Sequence, residues 1–308
     1  MLIEGNKMAT TASQSKQVLE AMKYFFGKRQ CRSTLFVADV GGSLAAEHFE
    51  LNVIDENYAE KQYYVWFDNG SSTDPSIVGK TGLQLTYTDG DSAVTIAGLY
   101  IALLATVEVL AVDSLNGLVQ VENKFLGVVS VESYTNASSE TLVVLRLGTG
   151  GELGAIQSGG ATLTTEQDLE TITKDSQGSI VQDLIQKGQT IALDMSLVEM
   201  DAGNWKSLIG EGYGDIEVVG SDEILGFGVS KLYKSSFDFA GQLVGHPTRL
   251  ALSDRSADIC LFLTPPQMSD ITYSGQEAQS ASFNFMGLPD NSKPASVRIF
   301  ARGDHSLV

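Results

Sequence analysis

Residues 74–81, DPSIVGKT, differ at one position from GxxxxGK[ST], the spacing that cradles a nucleotide phosphate. That chemistry needs a glycine at the first position, so that backbone N–H groups can approach the phosphate. It also needs a helix starting at the lysine, so that its N-terminus faces the anion. Here Asp74 puts a negative charge where the glycine belongs, and the GLQLTY that follows alternates like a strand, so the stretch reads as an ordinary turn. Other chemistry-bearing residues are scattered. His48, His246 and His305 have no neighbouring Cys or paired acid at ligand spacing and read as surface or turn histidines. Asp89-Gly90-Asp91 is a hairpin or N-cap signal, since a calcium loop would need further oxygens at alternate positions. The glycines of GTGGELG and GEGYGD miss the dinucleotide-binding spacing. Asn69-Gly70-Ser71 and Asn136-Ala137-Ser138 match the glycosylation triplet and Arg302-Gly303-Asp304 an integrin triplet, matches that short patterns give by chance. No segment sets a nucleophile, a base and an oxyanion donor in a recognisable order, so the expectation is a non-enzyme with no metal and no cofactor. Cys31 and Cys260 lie far apart, outside any CxxC spacing, and are expected to be buried free thiols.

The elements that would position these residues come from charge and periodicity. A chain of 308 residues sets a prior of two domains, or one with a large insertion. A net charge of -18 argues against binding nucleic acid by neutralising phosphates, which needs clustered Lys and Arg, although an acidic surface can face DNA by repelling it. Residues 1–46 hold six of the twenty basic residues but only three of the thirty-eight acidic ones, a basic arm on an acidic protein. The start, MLIEGNKMATTASQSK, lacks the apolar core of a signal peptide, so synthesis and folding in a cytosol are expected. Within residues 15–28, Val18, Met22, Phe25 and Phe26 are spaced for a helix that Gly27 would stop. Residues 35–40 read as a short strand closed by Gly41 and Gly42. Residues 94–112 are apolar enough to raise a membrane span, but Ile96, Leu99, Tyr100, Leu103, Leu104 and Val107 form one stripe, as in a helix covering a sheet.

Further along, the period changes twice. From residue 191 to 199, Ile191, Leu193, Met195 and Leu197 alternate with Ala192, Asp194, Ser196 and Val198, the signature of a half-buried strand. Asp201 can then N-cap a helix in which Trp205, Leu208 and Ile209 share a face, Met200 staples to Trp205, and Gly210 ends the turn. After it, LGFGVSKLYKSSFDFAG, RLALSD, DICLFL, SASFNFMGL and ASVRIFAR read as strands between Gly, Pro, Asn and Asp turns.

This order, GGATLTTEQDLETITKD followed by QTIALDMSLVEMDAGNWKSLIG, resembles the tail tube proteins of long-tailed bacteriophages. Two more stretches agree. VADVGGSL is similar to the opening phrase of that family, with its continuation displaced to GTGGELGAIQSGGATLTTE, and the last strands are similar to the family's LPD…KP turn and final strand. The displacement reads as an inserted domain at residues 47–148 of β-β-β-α-β-β-β order. Its YYVWFDNGSSTDPSIVGKTG resembles a small module recurrent in phage virion proteins. The fold class expected is mainly β (α+β). It combines a tail-tube-type β-sandwich or barrel with one flanking helix, from residues 1–46 and 149–308, and the inserted α+β domain, which would face outward.

The resemblance implies a structural virion protein, assembled in a host cytoplasm, that forms hexameric rings stacked into a tube. DNA would slide through the lumen without specific binding. Implied partners are other copies of the chain and the sheath, baseplate, tail terminator and tape-measure proteins, with no membrane. Lumen-facing residues are expected at Asp194, Ser196, Ser236 and Asp238, and ring-stacking contacts in residues 162–189 and the N-terminal arm. Residues 1–27 are then needed for polymerisation and not for folding. The rivals are another tail or baseplate ring subunit, a decoration protein, or a glycan-binding adhesin using Tyr63, Tyr64 and Trp66, unless those rings are buried.

Overall fold

The computed structural model describes residues 21–36, 44–45, 47–113, 117–132, 140–146, 149–156, 160–173, 181–198, 205–210, 215–219, 222–227, 232–272 and 280–308. The chain is mainly β. In order it forms β1 (Met22–Lys28), β2 (Cys31–Phe36), β3 (His48–Ile54), β4 (Glu60–Asp68), β5 (Thr81–Thr86), α1 (Ala93–Leu104), β6 (Val109–Asp113), β7 (Leu118–Asn123), β8 (Glu140–Arg146) and β9 (Thr149–Leu153). There follow β10 (Thr162–Thr173), β11 (Val181–Leu197), β12 (Asp215–Val219), β13 (Asp222–Gly226), β14 (Gly241–Pro247), β15 (Ile259–Thr264), β16 (Pro266–Thr272), β17 (Ser280–Met286) and β18 (Phe300–Arg302).

Two sheets share the core of the larger unit. A five-stranded sheet runs β18-β15-β14-β1-β9, and a four-stranded sheet runs β10-β11-β17-β16. Tyr24, Phe26, Leu243 and Leu261 from the first meet Leu193, Met195, Leu197, Phe283 and Phe285 from the second. Period-2 alternation is what lets each strand give one row to this layer. The helix expected over residues 15–28 is a strand from Met22 onward. Tyr24 and Phe26 face the shared core while Phe25 packs on the opposite face with Val244, Cys260 and Phe262. A central strand covered on both faces buries consecutive residues, so the apolar run shows no strand period.

β14 and β16 were not expected. β14, GQLVGHP, is buried along its whole length, and a Cβ on Gly245 would lie 2.7 Å from Cγ1 of Ile259 and 2.8 Å from Cε1 of Tyr24. Glycine there is a close-approach residue, although its type suggests a turn. β16 opens on Pro266 at the sheet edge, where a missing N–H costs no ladder bond. Conversely, RLALSD forms turns, and residues 232–240 hold only a short 3-10 turn, Ser236–Asp238, instead of a strand. The helix expected after Asp201 is one π-helical turn, Lys206–Gly210, preceded by Trp205; Asp201 and Met200 lie outside the described residues. Leu208 and Ile209 are buried and Trp205 packs beside them, so the shared apolar face exists on a shorter element.

The second unit holds β3-β4-β5, with β4 and β5 parallel, and β6-β7-β2-β8, closed by α1 over one core. β2 therefore belongs to this unit and not to the flanking core expected for residues 1–46: its ladder partners are β7 and β8. The chain changes sheet at Arg29 and Gln30, between β1 and β2, well before residue 47. Ser92 caps α1, its hydroxyl accepting from the Thr95 N–H at 3.2 Å. The helix stops at Leu104, and the β-branched VLAVD becomes β6. Its buried face is Ile96, Ala97, Tyr100 and Leu104, with Leu99 turned outward. Among the described residues no helix is long and apolar enough to cross a membrane. Of the stretch LGVVSVES, expected as a strand, the described residues 126–132 form no strand.

Candidate functional site

The β10-β11-β17-β16 sheet, to which the motif that opens at residue 159 contributes two strands, has one polar face. β11 supplies it by strict alternation. Ile191, Leu193, Met195 and Leu197 are buried, Ala192 and Ser196 are half-buried, and Asp194 is exposed. β17 repeats the pattern, with Ala281, Phe283 and Phe285 inward and Ser282 and Asn284 outward. Ladder register puts Thr162, Asp194, Asn284 and Gln267 in one cross-strand row and Ser196 opposite Ser282 in the next. Side chains in these rows bond to one another. Asn284 Nδ2 donates to Asp194 Oδ1 at 2.6 Å, the hydroxyls of Ser196 and Ser282 lie 2.8 Å apart, and Ser269 Oγ donates to the Ser282 carbonyl at 3.2 Å. Asp194, Ser196, Ser269 and Ser282 line a shallow depression of about 210 Å³ with Gly160 and Thr162.

Its electrostatics are one-sided. β10, β16 and β17 contain no Lys, Arg or His, and β11 contains only Lys187, against Glu166, Asp168, Glu170, Asp183, Asp194 and Asp270. Lys187 is itself paired with Glu170 at 2.8 Å. Such a face repels a polyanion, and among the described residues of its strands the one cation, Lys187, is already paired.

β11 pairs with β17 only from Ala192 to Leu197, yet β10 and β11 stay paired as far as Thr173 and Val181. Beyond Glu166 and Thr190 they form a two-stranded ribbon reaching roughly 25 Å past the sheet at the usual rise per residue. Leu169 and Ile185 are exposed on it. Among the described residues no third strand or core backs this ribbon, and a two-stranded ribbon is marginal alone.

Ser236 and Asp238 are not on this face. They occupy the 3-10 turn ahead of β14, and the alternation argument that placed them beside Asp194 and Ser196 fails because no strand forms there. Asp238 instead borders a cleft of about 410 Å³ between the two units, with Lys28, Arg29, Cys31, Glu122 and Lys293. Ser282, Asn284, Ser269 and Gln267 were the missed members of the polar face. The alternation in SASFNFM marks the first two, while Pro265-Pro266 hides the strand carrying the others.

The remaining sites resolve locally. Lys80 is ion-paired with Glu50, and β5 begins at Thr81, so no helix N-terminus faces residues 74–81. Tyr64 donates to Asp74 Oδ1 at 2.5 Å and the Ser76 N–H at 2.7 Å, and these bonds hold the Asp74 carboxyl below its ordinary range. Tyr64 and Trp66 are buried and Tyr63 packs against the core, which removes the sugar-stacking platform. His246 and His305 are buried, not surface residues, and both approach Asp258. Among the described residues no group of three or more His, Cys, Asp or Glu is placed to hold a metal ion. Cys260 is buried and Cys31 half-buried, and neither is in a disulfide. No family model matches the chain, and no curated protein matches it.

Proposed function

We propose that the chain is a structural subunit of a bacteriophage tail tube, in which six copies close a ring and rings stack into a hollow tube that conducts DNA. The observation that carries this reading is the sheet whose inner face is apolar and whose outer face is polar, acidic and almost free of basic residues. Six such sheets joined edge to edge would make a continuous lumen wall, with Asp194, Ser196, Ser282 and Asn284 toward the channel. DNA repelled by that wall would slide, because no Lys or Arg contact would release counterions and hold it. β10 and β16 are the open edges of the sheet and the natural places for copies to pair. The β10–β11 ribbon is the arm toward the next ring. The second unit, too large for a lumen, faces outward.

Negative-stain microscopy of the purified chain tests this. Regular hollow tubes are expected. Closed rings that never stack would favour another ring-forming virion part, and a stable monomer at high concentration would sink the reading.

A further inference from the structure

Asp258 is fully buried with three groups around it that can carry positive charge. His246 Nδ1 lies 2.6 Å from Oδ1, while Arg255 Nη1 and His305 Nδ1 lie 3.5 Å and 3.4 Å from Oδ2. All three side chains are buried. Arg255 also reaches out of the larger unit into the other. Its Nη2 donates to the Glu56 carbonyl at 2.7 Å, its Nη1 to the Tyr58 hydroxyl at 3.3 Å, and its guanidinium carbon lies 4.1 Å from the Phe125 ring centre. Tyr58, in the left-handed region at φ 58°, stacks on Phe25 of β1 with ring centres 3.9 Å apart. The turn between β3 and β4 is thus held to the five-stranded sheet by Arg255 and by the Tyr58–Phe25 stack.

We propose that this cluster is an acid-operated latch between the two units, in which a proton taken up by His305 displaces Arg255 and frees the turn at residues 55–59. The charges facing His305 make the balance. Asp258 attracts a proton to its ring, and Asp304 lies next to it in the chain; Arg255 and Arg29 oppose the proton, and burial opposes it most. His246 shares the same carboxylate, its Nδ1 lying against Asp258 Oδ1 and its Nε2 3.3 Å from the Leu250 carbonyl. Tyr58 contributes no charge, because burial pushes its hydroxyl up to about 12. With the Arg255 guanidinium already on this one carboxylate, a second buried cation is uncompensated. Arg255 holds Asp258 at the longest of the three distances and is the member whose other contacts lie across the junction.

The sign follows from His305, whose ring is held below its ordinary value. The closed latch is favoured while that ring is neutral, and this contribution is lost as pH falls below about 6.5 and through the folded value. Opening the latch leaves the two large cores intact, since neither includes Arg255 or Tyr58, and uncovers the smaller cluster of Phe25, Leu126, Val244, Cys260 and Phe262 on which Tyr58 packs.

Hydrogen exchange of the full chain between pH 7.5 and 5, corrected for intrinsic rates, reads the latch directly. Protection in peptides covering residues 55–59 and 248–258 is expected to fall about tenfold for each unit of pH below the transition, while β11 and β17 keep theirs. His305→Asn should remove the pH dependence. Independently of any variant, NMR titration of ¹³C-labelled histidine in the unmodified chain should place proton uptake by His305 at the same pH as the loss of protection. Unchanged protection to pH 5, simultaneous loss in β11 and β17, a transition retained in His305→Asn, or proton uptake at a different pH would each overturn the proposal.

Discussion

The guanidinium of Arg32 and the carboxylate of Glu132 meet at 2.6 Å with each side chain 1% exposed, which pins the irregular end of residues 126–132 to β2. Burial raises the Glu132 carboxyl, and Arg32 pulls it back down. Removing one partner strands a buried charge, so Glu132→Ala is expected to destabilise the second unit by about 3–5 kcal/mol in urea unfolding. The double variant Arg32→Met/Glu132→Leu should recover most of that loss. An equal cost for both would show that packing, and not charge, holds the segment.

Truncation at the N-terminus separates arm from core. Deleting residues 1–20 removes none of the described strands, whereas deleting residues 1–27 takes β1, which lies between β14 and β9. The shorter deletion should leave a soluble, folded chain by circular dichroism. The longer one, expected from sequence to spare folding, should yield insoluble or unfolded protein.

The two thiols should differ by orders of magnitude in reactivity. Burial pushes the Cys260 thiol up to about 12, and its Sγ accepts from Gln242 Nε2 at 3.1 Å, whereas Cys31 borders the cleft. With roughly one thiolate in ten thousand at pH 8, Cys260 should be alkylated only as the protein opens. Mass spectrometry of iodoacetamide-treated protein should find one fast site, and equal rates at both would contradict the burial.

How much of this was legible in the sequence depends on what lies on each side of an element. β11 and β17 bury one face, so alternation announces them, and Ser92 announces α1 through its cap. β1 is covered on both faces and its period vanishes, while Gly241, Gly245 and Pro266 disguise two strands as turns. The Asp258 cluster draws His246, Asp258 and His305 from three separate segments, so no local spacing could reveal it. The polar-face position of Asp194 and Ser196 follows from period alone, whereas Ser236 and Asp238 lie in a 3-10 turn and not in the strand expected there.

On the proposed tube reading, the ribbon is an assembly element. Leu169→Asp with Ile185→Asp changes two exposed side chains and should move stability by no more than about 0.5 kcal/mol per site. Thermal melting should be nearly unchanged and polymerisation, followed by light scattering, should fail. Normal tubes from this variant would remove the ribbon from the ring contact.

The lumen assignment has its own measurement. Asp194→Lys costs the 2.6 Å bond from Asn284 and reverses a charge on the polar face. Assembled tubes carrying it should retain duplex DNA at low salt and release it as salt rises. Identical DNA retention by variant and parent tubes would place Asp194 away from the channel.

The two sheets are joined where β1 continues into β2 and β8 returns into β9, with Lys28 paired to Thr149 on one side and Cys31 to Arg146 on the other. The second unit therefore hangs from a neck one hairpin wide, its entry and exit being neighbours in the same ladder. A cassette with adjoining ends can be excised, replaced by a tight turn, or exchanged for another of different surface without lengthening any connection in the host. That geometry makes this position a point where recombination can change one unit while the other stays fixed.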